Sequence, residues 1–419
     1  MNRTAHFFYL LIALTLFSSC EKDTVIIPGL QPTYAIDDVV IQGQNLKKIT
    51  GTINESITLT SDNKYLLSGI VFVEDTLTIE PGTIIYAETN VLTALVINRK
   101  ARLEATGTAS SPIVFTSINE LSGNGQIADW GGIHINGQAS LNGRNSLLVD
   151  LIGKYGRTDA LVNDDDDSGV MKYIRVEFAG KPMNGATGAI NFNAVGSLTQ
   201  LAYLQVYKAN GNGIRFRGGK ARLKYSFSTQ TNGKGYRWGS GWRGYGQFWV
   251  VHYPETTQDT LTAIEGRSGA PDDPPISAPV LSNITIVGLG SASSDPQIRG
   301  IRFRDSTQGK VYNSLLVKCR RAVRADYSQP LIDAGTLVFA NNNLYDNNPD
   351  YYVGTTSNAD LFANPQYNNT NNPVSVNGYV GTDAGGTFNV QSIDSWFETV
   401  NYKGAVAAGD SWIQGWIRE

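Results

Sequence analysis

Apolar residues recur along this chain in short runs, some unbroken, as in Ala94-Leu95-Val96-Ile97, and some alternating with polar ones, as in Leu77-Thr78-Ile79 and Ile214-Arg215-Phe216-Arg217. No stretch repeats apolar positions every three to four residues for long enough to make a helix. Glycine and asparagine fill the breaks, the composition of tight turns between strands. The pattern predicts an all-β chain of many short strands.

The runs also repeat. Leu201-Ala202-Tyr203 through Asn210-Gly211-Asn212-Gly213-Ile214-Arg215-Phe216 superimposes on Leu223-Lys224-Tyr225 through Asn232-Gly233-Lys234-Gly235-Tyr236-Arg237-Trp238 at an offset of 22 residues. Gly188-Ala189-Ile190-Asn191-Phe192 is a fainter copy before it, and Gly300-Ile301-Arg302-Phe303-Arg304 repeats Gly213-Ile214-Arg215-Phe216-Arg217 after it. About three short strands in such a period make one turn of a solenoid that buries its apolar side only by stacking on its neighbours. Leucine-rich repeats share the period, but their leucine and asparagine signature is missing, and propeller blades are longer. The expected architecture is a single-stranded right-handed parallel β-helix solenoid.

The leader carries Arg3, an apolar run from Phe7 to Phe17, Ser18, Ser19 and then Cys20. The run is too short for a bilayer, which needs roughly 20 residues, so it reads as a secretion signal. Leu16-Phe17-Ser18-Ser19-Cys20 resembles the lipobox of bacterial lipoproteins, in a loose form similar to that of Bacteroidetes. Glu21-Lys22-Asp23 resembles the acidic surface-export signals of that group. The alternative is an ordinary signal peptide cleaved near Ser19. Residues 1–19 are thus expected to be a signal peptide, 20–45 a lipidated tether and 46–419 the β-helix domain with a C-terminal cap. Ala270 to Pro275 is expected to be an excursion loop within that domain. The resulting location is the bacterial outer membrane, lipid-anchored, at the cell surface.

Composition narrows the chemistry. With Cys20 acylated, Cys319 is the one thiol left, so no disulfide framework can form and Cys319 reads as a buried small hydrophobe. Three histidines, one in the leader, offer little for a histidine metal site. His134 and His252 lie in strand-like runs and read as outward strand residues. The glycine-rich stretches near Gly241 and Gly288 do not open helices, so they form no nucleotide site, and no nucleic-acid partner is expected.

Net charge is only −3, yet from Phe178 to Pro254 there is no Asp or Glu and there are ten Lys or Arg. A second basic run, Arg299 to Arg324, is relieved only by Asp305. Strand alternation turns Arg215, Arg217, Arg302 and Arg304 outward. The spacing from Arg215 to Arg237 and from Arg302 to Arg324 is 22 residues in both cases, which puts each pair on adjacent turns. Two such charges repel by roughly 1 kcal/mol in water, and more where solvent is thin. An anion relieves this, and guanidinium forks suit carboxylate, sulfate or phosphate. The candidate ligand-binding residues are Arg215, Arg217, Arg237, Trp238, Trp242, Arg243, Arg302, Arg304 and Arg324, with Tyr236, Tyr245 and Trp249 as further aromatic company for sugar stacking. The competing reading is a solvated basic face, or one matched to acidic lipid or protein.

Asp164, Asp165, Asp166 and Asp167 form the other charged cluster. Carboxylates on a loop hold Ca²⁺ through oxygen, but the spacing lacks the glycine and terminal glutamate of an EF-hand, so a solvated turn competes. No other cofactor is expected.

Several segments together carry a family resemblance: Leu77-Thr78-Ile79-Glu80-Pro81-Gly82-Thr83, Asp129-Trp130-Gly131-Gly132-Ile133, Tyr173 to Gly180, Gly241-Trp242-Arg243-Gly244 and Trp412-Ile413-Gln414-Gly415-Trp416. In combination they resemble the Bacteroidetes surface lipoproteins of pectate-lyase-like β-helix fold. The resemblance implies fold and location, while the activities of that family are mostly unassigned. It also implies acidic residues between Asn232 and Trp238, where Gly233 and Lys234 stand here, which suggests a ligand of opposite sign.

The expected function is non-catalytic binding of an acidic glycan or other anionic surface. Two alternatives stay open: a polysaccharide lyase using an arginine base, and an accessory subunit docking on an outer-membrane transporter or assembly complex.

Overall fold

The computed structural model describes residues 33–142, 147–150, 152–156, 164–183, 188–256, 258–269, 273–292, 294–326, 328–353 and 365–419. Cys20 and the leader lie outside them, as do Ala270 to Asp272 of the expected excursion loop.

The chain winds as a parallel β-helix, each strand pairing with its counterpart one turn on. A first row runs through Ile70–Val73, Ala94–Ile97, Ile133–Asn136, Ile190–Asn193, Asn210–Arg217, Asn232–Gly239, Thr260–Gly266, Gln297–Phe303 and Arg321–Ala325. A second row begins at Lys64–Leu67 and Ile84–Ala87, and a third at Ile57–Leu59 and Thr76–Ile79. From Gly169 onward, single strands serve the third and second rows in succession: Gly169–Glu177, Gln200–Tyr207, Arg222–Thr229, Tyr245–His252 and Val280–Val287. Each bends at one residue of positive φ, namely Tyr173, Tyr203, Tyr225, Phe248 and Asn283. One left-handed residue turns the corner without a loop, a conformation uncommon outside glycine and held here because the turns above and below repeat it.

Alternation sorts the side chains as the sequence predicts, with Ile214 and Phe216 inward and Arg215 partly exposed. Early turns fill the core with aliphatics such as Ile49, Val71 and Leu95, and middle turns with rings. Phe216 stacks on Trp242 at 4.4 Å and Tyr236 on Trp249 at 4.3 Å. The repeated Asn-Gly has a steric cause, since a Cβ on Gly233 would fall 1.7 Å from the Gly211 carbonyl of the turn before it. Cys319 is buried in the same core.

Two segments lie outside the repeating stack. Thr33–Ile41, assigned to the tether, is a nine-residue strand antiparallel to Gln44–Ile53 that ends the stack. Most of its side chains are exposed, so it carries no core alternation for the sequence to show. Residues 365–419 run back along the outer face of the second row and the corner it shares with the third. Their backbone is gripped by amides on four turns: Gln205 holds Arg418, Gln247 holds Glu398, Asn283 donates to the Tyr402 carbonyl, and Asn313 holds Phe388. Arg418 spans Glu120 at 2.8 Å and Glu177 at 2.7 Å.

Candidate anion-binding cleft

The first row presents its outward side chains in register. Arg215 pairs with Arg237, Arg237 with Glu265, Glu265 with Arg302 and Arg302 with Arg324. The two arginine pairs inferred from the 22-residue spacing are therefore adjacent, and one column joins them through Glu265. Its side chain is only 4% exposed and lies within 4.0 Å of four guanidiniums: Arg267 at 3.0 Å, Arg237 at 3.5 Å, Arg302 at 3.9 Å and Arg304 at 4.0 Å. One carboxylate is shared among four cations.

Beside this column Arg217 aligns with Gly239 on the next turn. The missing side chain leaves a cleft of about 230 Å³ lined by Arg215, Arg217, Arg237 and Arg267, with Ser240, Ser268 and Asp305 at its rim. Burial pushes Arg215 down to about 9, and neighbouring Arg217 and Arg237 push the same way. Burial likewise lowers Arg237, with Glu265 opposing and Arg267 and Arg217 adding to the fall. Lys234 is also lowered by burial, with Glu265 opposing and Arg237, Arg267 and Arg302 adding to the fall. Positive charge is thus crowded and partly desolvated where the cleft opens, which is the condition an entering anion relieves.

The expected site divides. Arg215, Arg217 and Arg237 converge on the cleft. Arg302 and Arg324 instead share Asp326, Arg302 at 2.7 Å, and Arg304 pairs with Asp305 at 3.3 Å. Arg243 leaves the face altogether: it bonds Asp164 at 2.7 Å, with Lys220 at 3.3 Å from the same carboxylate. Trp238 and Trp242, expected to stack sugars, are 1% and 0% exposed and belong to the core, as do Tyr236 and Trp249. The reason is the alternation itself, since Trp238 pairs with inward Phe216. Tyr245 lies on another face, under Arg222 and against Phe397.

Glu265 and Arg267 were missed. Ala263-Ile264-Glu265-Gly266 occupies the register of Gly235-Tyr236-Arg237-Trp238, but the longer connection after His252 displaces it from the 22-residue offset.

The four aspartates diverge. Asp164 meets Ser140 and Arg243, Asp165 accepts from Ser197, Asp166 from Ser168 and Gly196, and Asp167 pairs with Arg102 at 2.6 Å. Burial opposes ionisation of Asp164, yet Ser140, Arg243 and Lys220 outweigh it and hold the carboxyl below its usual range. Among the described residues, no group of three or more His, Cys, Asp or Glu is placed to hold a metal ion.

His134 points outward from its strand but is fully buried, and burial pushes it down to about 3, with Arg217 and Arg215 adding to the effect. His252, lowered by burial, packs edge-on against Tyr379 at 5.4 Å.

The family model for a pectate-lyase like beta helix domain matches residues 51–417. No curated protein and no solved structure matches the chain.

Proposed function

We propose, from the premise that the chain belongs to the pectate-lyase-like β-helix family, that it binds an acidic polysaccharide at the cleft of Arg215, Arg217, Arg237 and Arg267 and does not cleave it. A domain of this family fits a polysaccharide-related role. The observation that carries the finer reading is the convergence of those four guanidiniums on the gap left by Gly239. Carboxylate or sulfate groups match the planar donor forks and the crowded charge.

Arg215, lowered by burial to about 9, is protonated at neutral pH and donates to an anion. The same lowering is what an arginine base for elimination needs, so the absorbance arm of the binding test separates binding from cleavage. We further propose that Cys20 is lipidated and holds the domain at the outer membrane of a bacterium resembling the Bacteroidetes.

The test is binding of the purified protein to acidic and neutral polysaccharides at low and moderate salt, with ultraviolet absorbance followed in the same samples. Retention of acidic polymers alone, weakening as salt screens the contact, supports the reading. Arg237→Ala should then lower affinity about tenfold, the loss of one charge-assisted contact of roughly 1.5 kcal/mol. Rising absorbance from unsaturated products replaces it with a lyase. Failure to retain any polymer rejects both and turns the search to a membrane-protein partner.

A further inference from the structure

The row that carries the arginines is walled at one end and, among the described residues, keeps partly exposed guanidiniums toward the other. Its outward line passes from Val96 through His134 and Asn191 to Arg215 and Arg237. His134 and Asn191 are 0% and 1% exposed, so access stops between Asn191 and Arg215. The hairpin of Leu147–Asp150 and Gly153–Gly156 lies against this row, bonded to it through Asn136. Ile152 and Tyr155 pack there with Val96, Leu141 and Ala194 in a cluster outside the main core.

Hydrogen bonds pin this wall. Asn193 donates to Asn136 at 3.0 Å, and Asn136 donates to the Ile152 carbonyl at 2.6 Å. Tyr155 is buried, and its ring lies 5.2 Å from the Arg217 guanidinium, which puts the wall at the edge of the cleft. In the other direction Arg237, Arg302 and Arg324 keep side-chain exposures of 21%, 19% and 22%.

We infer that the cleft receives the end of an acidic glycan chain and excludes its interior, an inference that rests on the binding reading above and narrows it. A polymer that meets cations on successive turns runs along the axis, because the turns repeat every ~4.8 Å. An interior segment needs both directions open, and the Tyr155 wall closes one. The cleft of about 230 Å³ is smaller than the ~300–1,000 Å³ of a usual ligand pocket, which suits one terminal sugar.

The experiment is calorimetric titration of the purified protein with galacturonate oligomers: a dimer, a tetramer and a dodecamer. End recognition gives a Kd per chain that changes less than about twofold from tetramer to dodecamer, with one protein per chain. It also gives loss of binding when one particular end of the dodecamer is blocked, and none when the other is. A Kd that tightens in proportion to length, with several proteins on each dodecamer and indifference to both blocks, overturns the inference while leaving the binding reading intact. Absence of binding to every oligomer rejects the binding reading and this inference with it. In Tyr155→Ala, opening the wall should restore length dependence, and the wild-type series decides the question even where this variant does not fold.

Discussion

Glu265 is the residue on which the arginine face turns. Its buried carboxylate faces four guanidiniums, and without it the cations of three turns lose their shared counter-charge. Removing one partner of a buried ionic cluster costs about 3–5 kcal/mol because the remaining charge is uncompensated. Glu265→Gln should therefore lower the denaturation midpoint substantially, and sulfate should recover more of the loss than chloride at matched ionic strength. Equal recovery by the two salts would show that the cleft holds no anion. His134 gives a second prediction at this scale. Its folded pKa of about 3 lies below the ordinary 6.5, so the unfolded chain takes the proton first. Stability from this residue is complete above pH 6.5 and drains as pH falls toward 3, by about 1.4 kcal/mol per unit. His134→Leu should gain on the wild type by that slope between pH 6 and 4, read from paired urea curves.

At the scale of elements, the solenoid and its returning flank segment obey different rules. Each turn of the stack touches its neighbours, so its stability is local and additive. Residues 365–419 instead tie turns far apart, and Arg418 reaches Glu120 and Glu177, of which Glu177 is 1% exposed. Arg418→Ala leaves Glu177 held by Arg175 at 3.1 Å and Thr116 at 3.0 Å, so the loss is that of charge-assisted contacts and about 1.5 kcal/mol of destabilisation is expected. Limited proteolysis should then release fragments from 365–419 before the β-helix itself is cut. Simultaneous digestion of both parts would mean that the flank segment and the stack unfold as one unit regardless of this contact. The stacked corner rings serve the same docking, with Tyr203 4.2 Å from Tyr173 and Trp416 edge-on to both.

For the whole molecule, the contrast lies between a net charge of −3 and a cleft where four guanidiniums converge. The acidic remainder repels polyanions elsewhere on the surface, which directs them to one place. A tether at Cys20 would hold that place near a membrane. Cys20→Ser should move the protein from the membrane fraction to the soluble fraction and abolish incorporation of labelled palmitate; unchanged fractionation would sink the anchoring proposal.

The sequence by itself determined the all-β solenoid, because a two-residue alternation and a 22-residue repeat are local signals that survive without any knowledge of distant contacts. It also determined that Arg215 lies beside Arg237 and Arg302 beside Arg324, since register follows from the repeat. Even the burial of Trp238 was legible in its alignment with Phe216, although charge and aromatic content together suggested a surface role. Only the tertiary structure decided which charges remain in the cleft. Glu265 enters the column through a turn of irregular length and Asp164 draws Arg243 away, each by a contact between segments that no period relates, while Asp326 pairs with Arg302 and Arg324 from two residues beyond the second basic run. The hairpin against Asn136 and the strap over Gln205 were hidden for the same reason: an excursion that returns to cover a face leaves no periodic trace, because its partners are fixed by packing and not by spacing along the chain.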